Sequence, residues 1–174
     1  MVAIIRRRRP TVKRKLLVIR HAQTKHQQSG QTDHQRELTV QGKSDALRVA
    51  AHIQQLGWTP QTVVSSDATR TRQTWQHLDE VFEASVDVTF TDSLYLAGVD
   101  AVCDALFALP EDVHEVAVLG HNPGWQNLVH WLSGTAVRMS PGTAVLLEGE
   151  GETWADALRQ NKWKLHEVIR PEHL

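Results

Sequence analysis

The chain has 174 residues, of which 41% are hydrophobic and 22% are charged, and this composition excludes an intrinsically disordered protein. No apolar run approaches the ~18 residues that cross a bilayer, so the sequence predicts no membrane span. Cys103 is the only cysteine, which excludes an intramolecular disulfide and favours a cytoplasmic location.

A strongly basic segment opens the chain, although the net charge is only −1. Residues 1–15 hold seven Lys and Arg side chains and no acid, which leaves 12 basic and 20 acidic residues, or −8, for the remainder. We therefore predict a basic N-terminal arm over residues 1–14 and a single domain over residues 15–174. The arm is interpreted as a solvated tail or as a weak contact for an anionic partner such as nucleic acid, lipid or an acidic protein. A short organelle import sequence is a further alternative, since acids are absent there.

Apolar runs and helical patterns alternate along the chain. Apolar runs predict strands at residues 15–19, 62–66, 86–90, 115–119, 143–147 and 163–169. Apolar residues at helical spacing predict one helix that ends near Leu56 and others over residues 68–83, 99–108 and 123–132. We expect Ser66 or Asp67 to cap the second helix and Asn122 to cap the fourth. This alternation predicts an α/β three-layer sandwich with a mainly parallel central sheet flanked by helices.

Histidines follow directly on two of the predicted strands. His21 comes after the apolar run that ends at Arg20, and His121 comes after the run that ends at Gly120. Such runs are typical of buried strands in a parallel sheet, and ligands bind outside the carboxyl ends of these strands. We therefore expect both imidazoles to reach the same edge of the sheet.

Two arginines are expected at that edge as well. Arg20 precedes His21, and Arg70 falls in the first turn of the helix after strand 62–66, from where its side chain points back toward the sheet. Guanidiniums bind phosphate oxygens through planar forks, and a neutral imidazole can accept a phosphoryl group. We therefore predict a phosphate pocket in which cationic side chains make a metal or other cofactor unnecessary. Its members are Arg20, His21, Arg70 and His121.

Four motifs, in this order, resemble those of the histidine phosphatase superfamily, which includes the cofactor-dependent phosphoglycerate mutases. Arg20-His21-Ala22 is similar to the Arg-His-Gly/Ala signature of that family. Residues 33–42 resemble the Asp-x-x-Arg-x-Leu-Thr-x-x-Gly stretch of SixA-type phosphohistidine phosphatases. Residues 65–74 resemble the Ser-(Ser/Pro)-x-x-x-Arg-Ala-x-Gln-Thr segment, and residues 120–124 resemble the segment around the second histidine.

The resemblance implies a phosphoglycerate mutase-like fold and a phosphatase that works through a covalent phosphohistidine intermediate. It implies that His21 is the phosphorylated nucleophile. It also implies that the remaining phosphate contacts are Arg20, Arg70 and His121.

Two further contacts and a general acid are suggested less directly. Arg36 in the second motif and Asn122 after the second histidine are additional candidates for binding the substrate.

Relatives that resemble phosphoglycerate mutase place a Glu after the arginine motif to protonate an alkoxide, and SixA-type members lack it. Asp92 is the only carboxylate in the corresponding region, residues 91–97, and is the candidate acid here. Without an effective acid, phosphohistidine is favoured over an alcohol ester, because imidazole leaves more readily.

A phosphohistidine-bearing protein is the favoured partner. About 46 residues separate the arginine motif from His121, which leaves little chain for a lid over a small substrate. A small-molecule phosphomonoesterase on the same scaffold is an alternative, and so is a non-catalytic module that only recognises phosphate. His26 and His34 lie near His21, but their irregular spacing in a polar loop does not favour a metal site.

Overall fold

A mixed sheet of six strands lies at the centre of the computed structural model, which describes residues 10–174. The strands are β1 (Val12–Arg20), β2 (Thr62–Ser66), β3 (Asp87–Thr91), β4 (Glu115–Gly120), β5 (Ala144–Gly151) and β6 (Lys164–Ile169). Their order across the sheet is β3-β2-β4-β1-β5-β6. β1, β4, β2 and β3 pair in parallel, whereas β5 runs antiparallel to both β1 and β6. The predicted mainly parallel sheet is confirmed, with β5 as its reversed strand.

Helices cover both faces of the sheet. Over the same residues they are α1 (Val40–Gln55), α2 (Thr69–Asp79), α3 (Val99–Phe107), α4 (Gly124–Ser133) and α5 (Trp154–Ala157). Successive strand residues point to opposite faces, so β1 sends Leu17 and Ile19 toward α1 and α2, and Leu16 and Val18 toward α3, α4 and α5. The result is the predicted three-layer sandwich. Within residues 10–174, no helix is long and apolar enough to cross a membrane.

The start of β1 differs from the prediction. β1 begins at Val12, so residues 12–14 belong to the sheet and the predicted boundary at residue 15 falls inside a strand. Arg14 is fully buried there, and its guanidinium donates to the carbonyls of Val113 at 3.0 Å and Glu152 at 2.9 Å. This basic residue therefore stabilises the fold rather than an arm. The arginines at residues 6–9 lie outside the described residues.

The predicted capping of two helices is wrong. Neither α2 nor α4 has a side-chain cap, so Ser66, Asp67 and Asn122 do not fill that role. The Ser66 hydroxyl instead lies 2.8 Å from Nε2 of His121. The Asn122 amide donates to the Met139 carbonyl at 3.0 Å. Both side chains therefore make contacts with residues distant in sequence instead of capping the helices that follow them.

The carboxyl ends of three parallel strands meet at one edge of the sheet. Arg20 lies opposite Gly120 in the β1–β4 register, and the His21 N–H donates to the Gly120 carbonyl at 3.0 Å. Ser65 at the end of β2 lies opposite Leu119 of β4. Because α2 begins just after β2, this edge gathers both histidines and the first turn of α2.

Gly120 allows a tryptophan to pack beneath this edge. Trp125 is fully buried, and its indole N–H donates to the Val118 carbonyl at 3.0 Å. A Cβ on residue 120 would overlap the Trp125 ring. A residue without a side chain is therefore required at the end of β4, directly before His121.

We predict that Gly120→Ala destabilises the protein by about 1–3 kcal/mol, because the added methyl group overpacks a core that yields little. Gly98→Ala is the matched control, since a Cβ at residue 98 would meet nothing within 4 Å. The free energy of unfolding in urea should fall clearly more for Gly120→Ala than for the control. Equal losses in the two variants would contradict the packing explanation.

Candidate active site

A cavity of about 530 Å³ opens at this edge of the sheet. Six of its lining residues were predicted from the sequence. Four were predicted as catalytic residues, namely Arg20, His21, Arg70 and His121, and two as substrate-binding residues, namely Arg36 and Asn122. The remaining lining residues are Gln23, Thr24, Asp33, Leu96 and Pro141. Three guanidiniums and one carboxylate give this lining a net charge of +2 when the histidines are neutral, which suits a doubly charged phosphate group. A larger cavity of about 800 Å³, along β5 and α5, contains none of the predicted residues.

A hydrogen bond to the main chain defines the tautomer of His21. Its Nδ1 lies 2.8 Å from the carbonyl oxygen of Ala22, and since a carbonyl only accepts, Nδ1 carries the ring proton. The lone pair of the neutral ring is therefore on Nε2. Burial, reinforced by the positive charges of Arg70 and Arg20, lowers the pKa of His21 to about 3, although the bond to Ala22 opposes this shift. The imidazole is neutral and nucleophilic at physiological pH.

His121 lies beside the first histidine, with ring centroids 5.3 Å apart. It is almost fully buried, and its Nε2 contacts the Ser66 hydroxyl. Its Nδ1 is buried and has no hydrogen-bond partner among residues 10–174. Burial, followed by repulsion from His21 in its protonated form and from Arg70, lowers the pKa of His121 to about 3. The Ser66 hydroxyl can donate to Nε2, which puts the ring proton on Nδ1 and makes that atom a donor for a phosphoryl oxygen.

Arg20 and Asn122 are held by the same carbonyl group. The Met139 carbonyl accepts from Nη1 of Arg20 at 2.7 Å and from the Asn122 amide at 3.0 Å, while the Met139 N–H donates to Gln126 at 3.2 Å. Nε of Arg20 is buried and has no hydrogen-bond partner within the described part of the chain. The Asn122 amide group is already engaged, which suits support of the cavity wall better than binding of an anion.

Arg70 is held by a carboxylate that the sequence did not single out. Its guanidinium is 3% exposed and donates to the main-chain carbonyl of Asp33 at 2.7 Å and to Oδ2 of Asp33 at 3.0 Å. The Tyr95 hydroxyl donates to the same Oδ2 at 2.6 Å, and Arg36 donates to Oδ1 at 3.1 Å. These bonds, the one from Tyr95 above all, lower the pKa of Asp33 to about 2. Asp33 is therefore ionised at neutral pH and holds Arg70 in place.

Arg36 is fixed at the mouth of the cavity. Besides Asp33, its guanidinium contacts the Lys25 carbonyl at 3.1 Å and the Thr24 hydroxyl at 2.6 Å. The side chain thus lines the cavity in a defined position, and its contact with the substrate stays a prediction.

Thr74 links His21 to Arg70 on α2. Its hydroxyl donates to the Arg70 carbonyl at 2.7 Å and accepts from the Ala22 N–H at 3.0 Å. Because the Ala22 carbonyl also binds Nδ1 of His21, this hydroxyl relates the positions of His21 and Arg70.

The structure does not support Asp92 as the general acid. Asp92 is exposed at the start of a short 3-10 helix, Asp92–Leu94, and it does not line the cavity. The Asp92 side chain is exposed to solvent, whereas Tyr95, three residues later, contacts Asp33 in the site. Asp33 is the only carboxylate among the described residues that line the cavity, and it is held ionised.

Four contributors to the site were missed from the sequence: Asp33, Ser66, Thr74 and Tyr95. Asp33, Ser66 and Thr74 lie inside the quoted motifs, which was the available signal. No pattern marked Tyr95, because its contact with Asp33 joins residues 62 positions apart.

The other histidines near His21 do not converge on it. His34 pairs with Asp67, with Nε2 and Oδ1 2.8 Å apart, and His26 is exposed in the loop before it. Within residues 10–174 no group of three or more His, Cys, Asp or Glu side chains could hold a metal ion.

Known proteins match both the sequence and the fold. The sequence model of the histidine phosphatase superfamily (branch 1) matches residues 16–95. A SixA protein from Nakamurella multipartitia is 31% identical, with 92% of this chain and 97% of that chain covered and a TM-score of 0.75. A SixA protein from Agrobacterium tumefaciens is 22% identical, with coverages of 91% and 98% and a TM-score of 0.77. An uncharacterized chloroplastic protein of Arabidopsis thaliana is 32% identical over 177 residues, which cover 93% of this chain and 80% of the relative.

The 31% identity with the SixA protein of Nakamurella multipartitia, over almost the full length of both chains, shows that this chain belongs to the histidine phosphatase superfamily. Residues 16–95, which the superfamily model matches, hold three of the four motifs. The protein is a phosphatase. Within the superfamily it is of the SixA type, because a SixA protein matches it along almost the full length of both chains. The family and the fold predicted from the sequence are confirmed.

Burial of the two histidines predicts that stability is sensitive to acid. Both rings titrate near pH 6.5 in an unfolded chain, whereas folding lowers the pKa values of His21 and His121 to about 3. Between these values the unfolded state binds more protons than the folded state. The contribution of the two neutral rings to the free energy of unfolding is therefore fully present above pH 6.5. It is lost as the pH falls toward 3, by up to about 1.4 kcal/mol per pH unit for each ring.

Urea unfolding at pH 7 and pH 5 tests this expectation. The free energy of unfolding should fall less between these pH values in His121→Gln than in the wild type. His26→Gln, which changes an exposed histidine, should keep the wild-type dependence. An unchanged pH dependence in His121→Gln would show that the buried ring is not the source.

Proposed function

We propose that this protein is a metal-independent phosphohistidine phosphatase that dephosphorylates a histidine of a protein through a covalent intermediate on His21. The observation that carries the proposal is the hydrogen bond from Nδ1 of His21 to the Ala22 carbonyl, because it leaves the lone pair on Nε2. The SixA type supports the substrate class, since that type comprises phosphohistidine phosphatases.

In the first step, Nε2 of His21 attacks the phosphorus atom. A new N–P bond forms, the P–N bond to the substrate imidazole breaks, and the bonding electrons leave on the substrate nitrogen, which takes a proton from water. The guanidiniums of Arg20 and Arg70 and the imidazole of His121 stabilise the charge on the phosphoryl oxygens.

In the second step, water attacks the phosphorus atom of phosphorylated His21. The N–P bond breaks, Nε2 recovers its lone pair, and inorganic phosphate is released. One proton passes to solvent and balances the proton taken up in the first step.

The lack of a proton donor favours a P–N substrate over a phosphate ester. With a pKa of about 2, Asp33 is ionised, and with a pKa of about 3, His121 is neutral. An alkoxide leaving group needs a proton in the transition state, and general acids typically contribute about 10²–10⁴-fold to such a step. An imidazole leaving group depends on this assistance much less.

The surroundings of the cavity support a protein substrate. Between α2 and β4 the chain forms only β3, a short 3-10 helix and α3. In the described structure, this segment therefore provides no additional domain that would cover the cavity. An open mouth accepts a histidine that projects from a protein surface.

We also propose a cytoplasmic location and a weak anionic partner for the basic residues that precede β1. Cys103 is buried in α3, and burial raises the pKa of its thiol to about 11, so this single cysteine is unreactive. A lone thiol of this kind suits a reducing compartment. The charge of the N-terminal residues is the support for the anionic partner.

We predict that radiolabelled phosphoramidate leaves an acid-labile label on the wild-type protein and none on His21→Ala, because Nε2 of His21 is the phosphoryl acceptor. The protein is quenched in base, which preserves a P–N bond, and the label is counted after gel separation. His26→Ala is the control, since this exposed histidine lies outside the cavity, and it should be labelled like the wild type. Undiminished label on His21→Ala would place the nucleophile elsewhere.

We further predict that kcat/KM for a phosphohistidine peptide exceeds that for sugar phosphates by at least ~10²-fold, because the site lacks a proton donor for an alkoxide. Both substrates are assayed in the presence of EDTA, which should not inhibit. Asp92→Asn should change neither value by more than about twofold, as the carboxylate is exposed and does not line the cavity. Preference for sugar phosphates would overturn the substrate class, and an ester-specific loss in Asp92→Asn would restore Asp92 as the acid.

A further inference from the structure

An exposed leucine at the mouth of the cavity has a left-handed backbone conformation. Leu96 is 58% exposed and has a φ of 51°. Among the non-glycine residues of the described chain, only Leu96 and Asn161 have a positive φ. Asparagine tolerates this region because its short polar side chain can bond locally, whereas a bulky leucine there is strained.

Contacts on both sides of Leu96 hold the backbone in place. Leu94 is fully buried in the core between the sheet and α3, and the Tyr95 hydroxyl binds the Asp33 carboxylate at 2.6 Å. On the other side, the Ala97 carbonyl packs so closely on α4 that any side chain at residue 124 would overlap it. Strained residues persist where the surroundings fix them, and they cluster at functional sites. Leu96 gains little burial from its strained position, so the strain has no evident role in folding.

Leu96 also gives a polar cavity an apolar wall. Of the eleven lining residues, only Leu96 and Pro141 are apolar, and the others are charged or polar. The phosphoryl group is bound by the guanidiniums and imidazoles, so the group that carries it faces the mouth. A sugar there would leave the leucine in water, whereas an apolar side chain on a protein surface would bury it.

We infer that Leu96 is a specificity residue that packs against an apolar side chain next to the phosphohistidine of a protein substrate. This inference rests on the proposed function and adds the surface that the enzyme recognises around the phosphorylated histidine.

The test uses two phosphohistidine peptides that differ only in one residue, which is leucine in one peptide and serine in the other, directly next to the phosphohistidine. Phosphoramidate is the smallest P–N substrate and cannot reach Leu96 with any side chain. We expect Leu96→Gly, which permits a left-handed backbone, to lower the ratio of kcat/KM for the leucine peptide to kcat/KM for phosphoramidate by on the order of tenfold. The loss should appear as a higher KM and should be clearly smaller for the serine peptide.

Phe107→Ala is the matched control, because it removes another exposed apolar side chain that lies on α3 and outside the cavity. It should leave kcat/KM unchanged for the leucine peptide, the serine peptide and phosphoramidate. Leu96→Asn also tolerates the left-handed backbone and repeats the test independently of the glycine substitution. Thermal melting of each variant shows that it is folded under the assay conditions.

An unchanged ratio in folded Leu96 variants, or equal losses for the two peptides, would overturn the inference. An equal loss of phosphoramidate turnover would overturn it too, because Leu96 would then act on the geometry of the pocket. A wild-type protein that hydrolyses neither the peptides nor phosphoramidate would instead refute the proposed function itself. The two failures are therefore distinguishable.

Discussion

One hydrogen bond determines what this cavity can do chemically. Because Nδ1 of His21 donates to the Ala22 carbonyl at 2.8 Å, the neutral ring keeps its lone pair on Nε2. The opposite tautomer would put a proton on that nitrogen and turn a nucleophile into a hydrogen-bond donor. Burial adds the second condition, since together with the nearby guanidiniums it keeps the ring unprotonated at neutral pH. In the proposed reaction, Arg20, Arg70 and His121 stabilise the oxygens of the phosphoryl group that this nitrogen attacks.

The groups around His21 are preorganised by contacts between elements that are distant in sequence. Thr74 connects the residue after His21 to Arg70, and the Met139 carbonyl holds Arg20 against the loop before β5. Asp33 holds the guanidinium of Arg70 from the opposite side. Charged donors fixed in this way stabilise developing negative charge without reorganising during the reaction.

The strand ends could be predicted from the sequence, because short apolar runs before His21 and His121 define neighbouring parallel strands whose ends must meet. The first residues of β1 could not, since a basic side chain such as Arg14 is buried only through carbonyls supplied by Val113 and Glu152. The contact that holds Arg70 could not be predicted from the sequence for a similar reason, because Asp33 lies 37 residues away along the chain. Local pattern thus predicts where catalytic groups emerge, whereas the contacts that orient them depend on the folded chain.

The tautomer of His21 is the most direct test of this chemistry. Proton–nitrogen NMR of the protein with isotope-labelled histidine reports which ring nitrogen carries hydrogen. We expect a neutral ring with hydrogen on Nδ1 that does not titrate between pH 5 and pH 8. Hydrogen on Nε2, or a titration of His21 near pH 6.5, would contradict a nucleophile fixed by the Ala22 carbonyl.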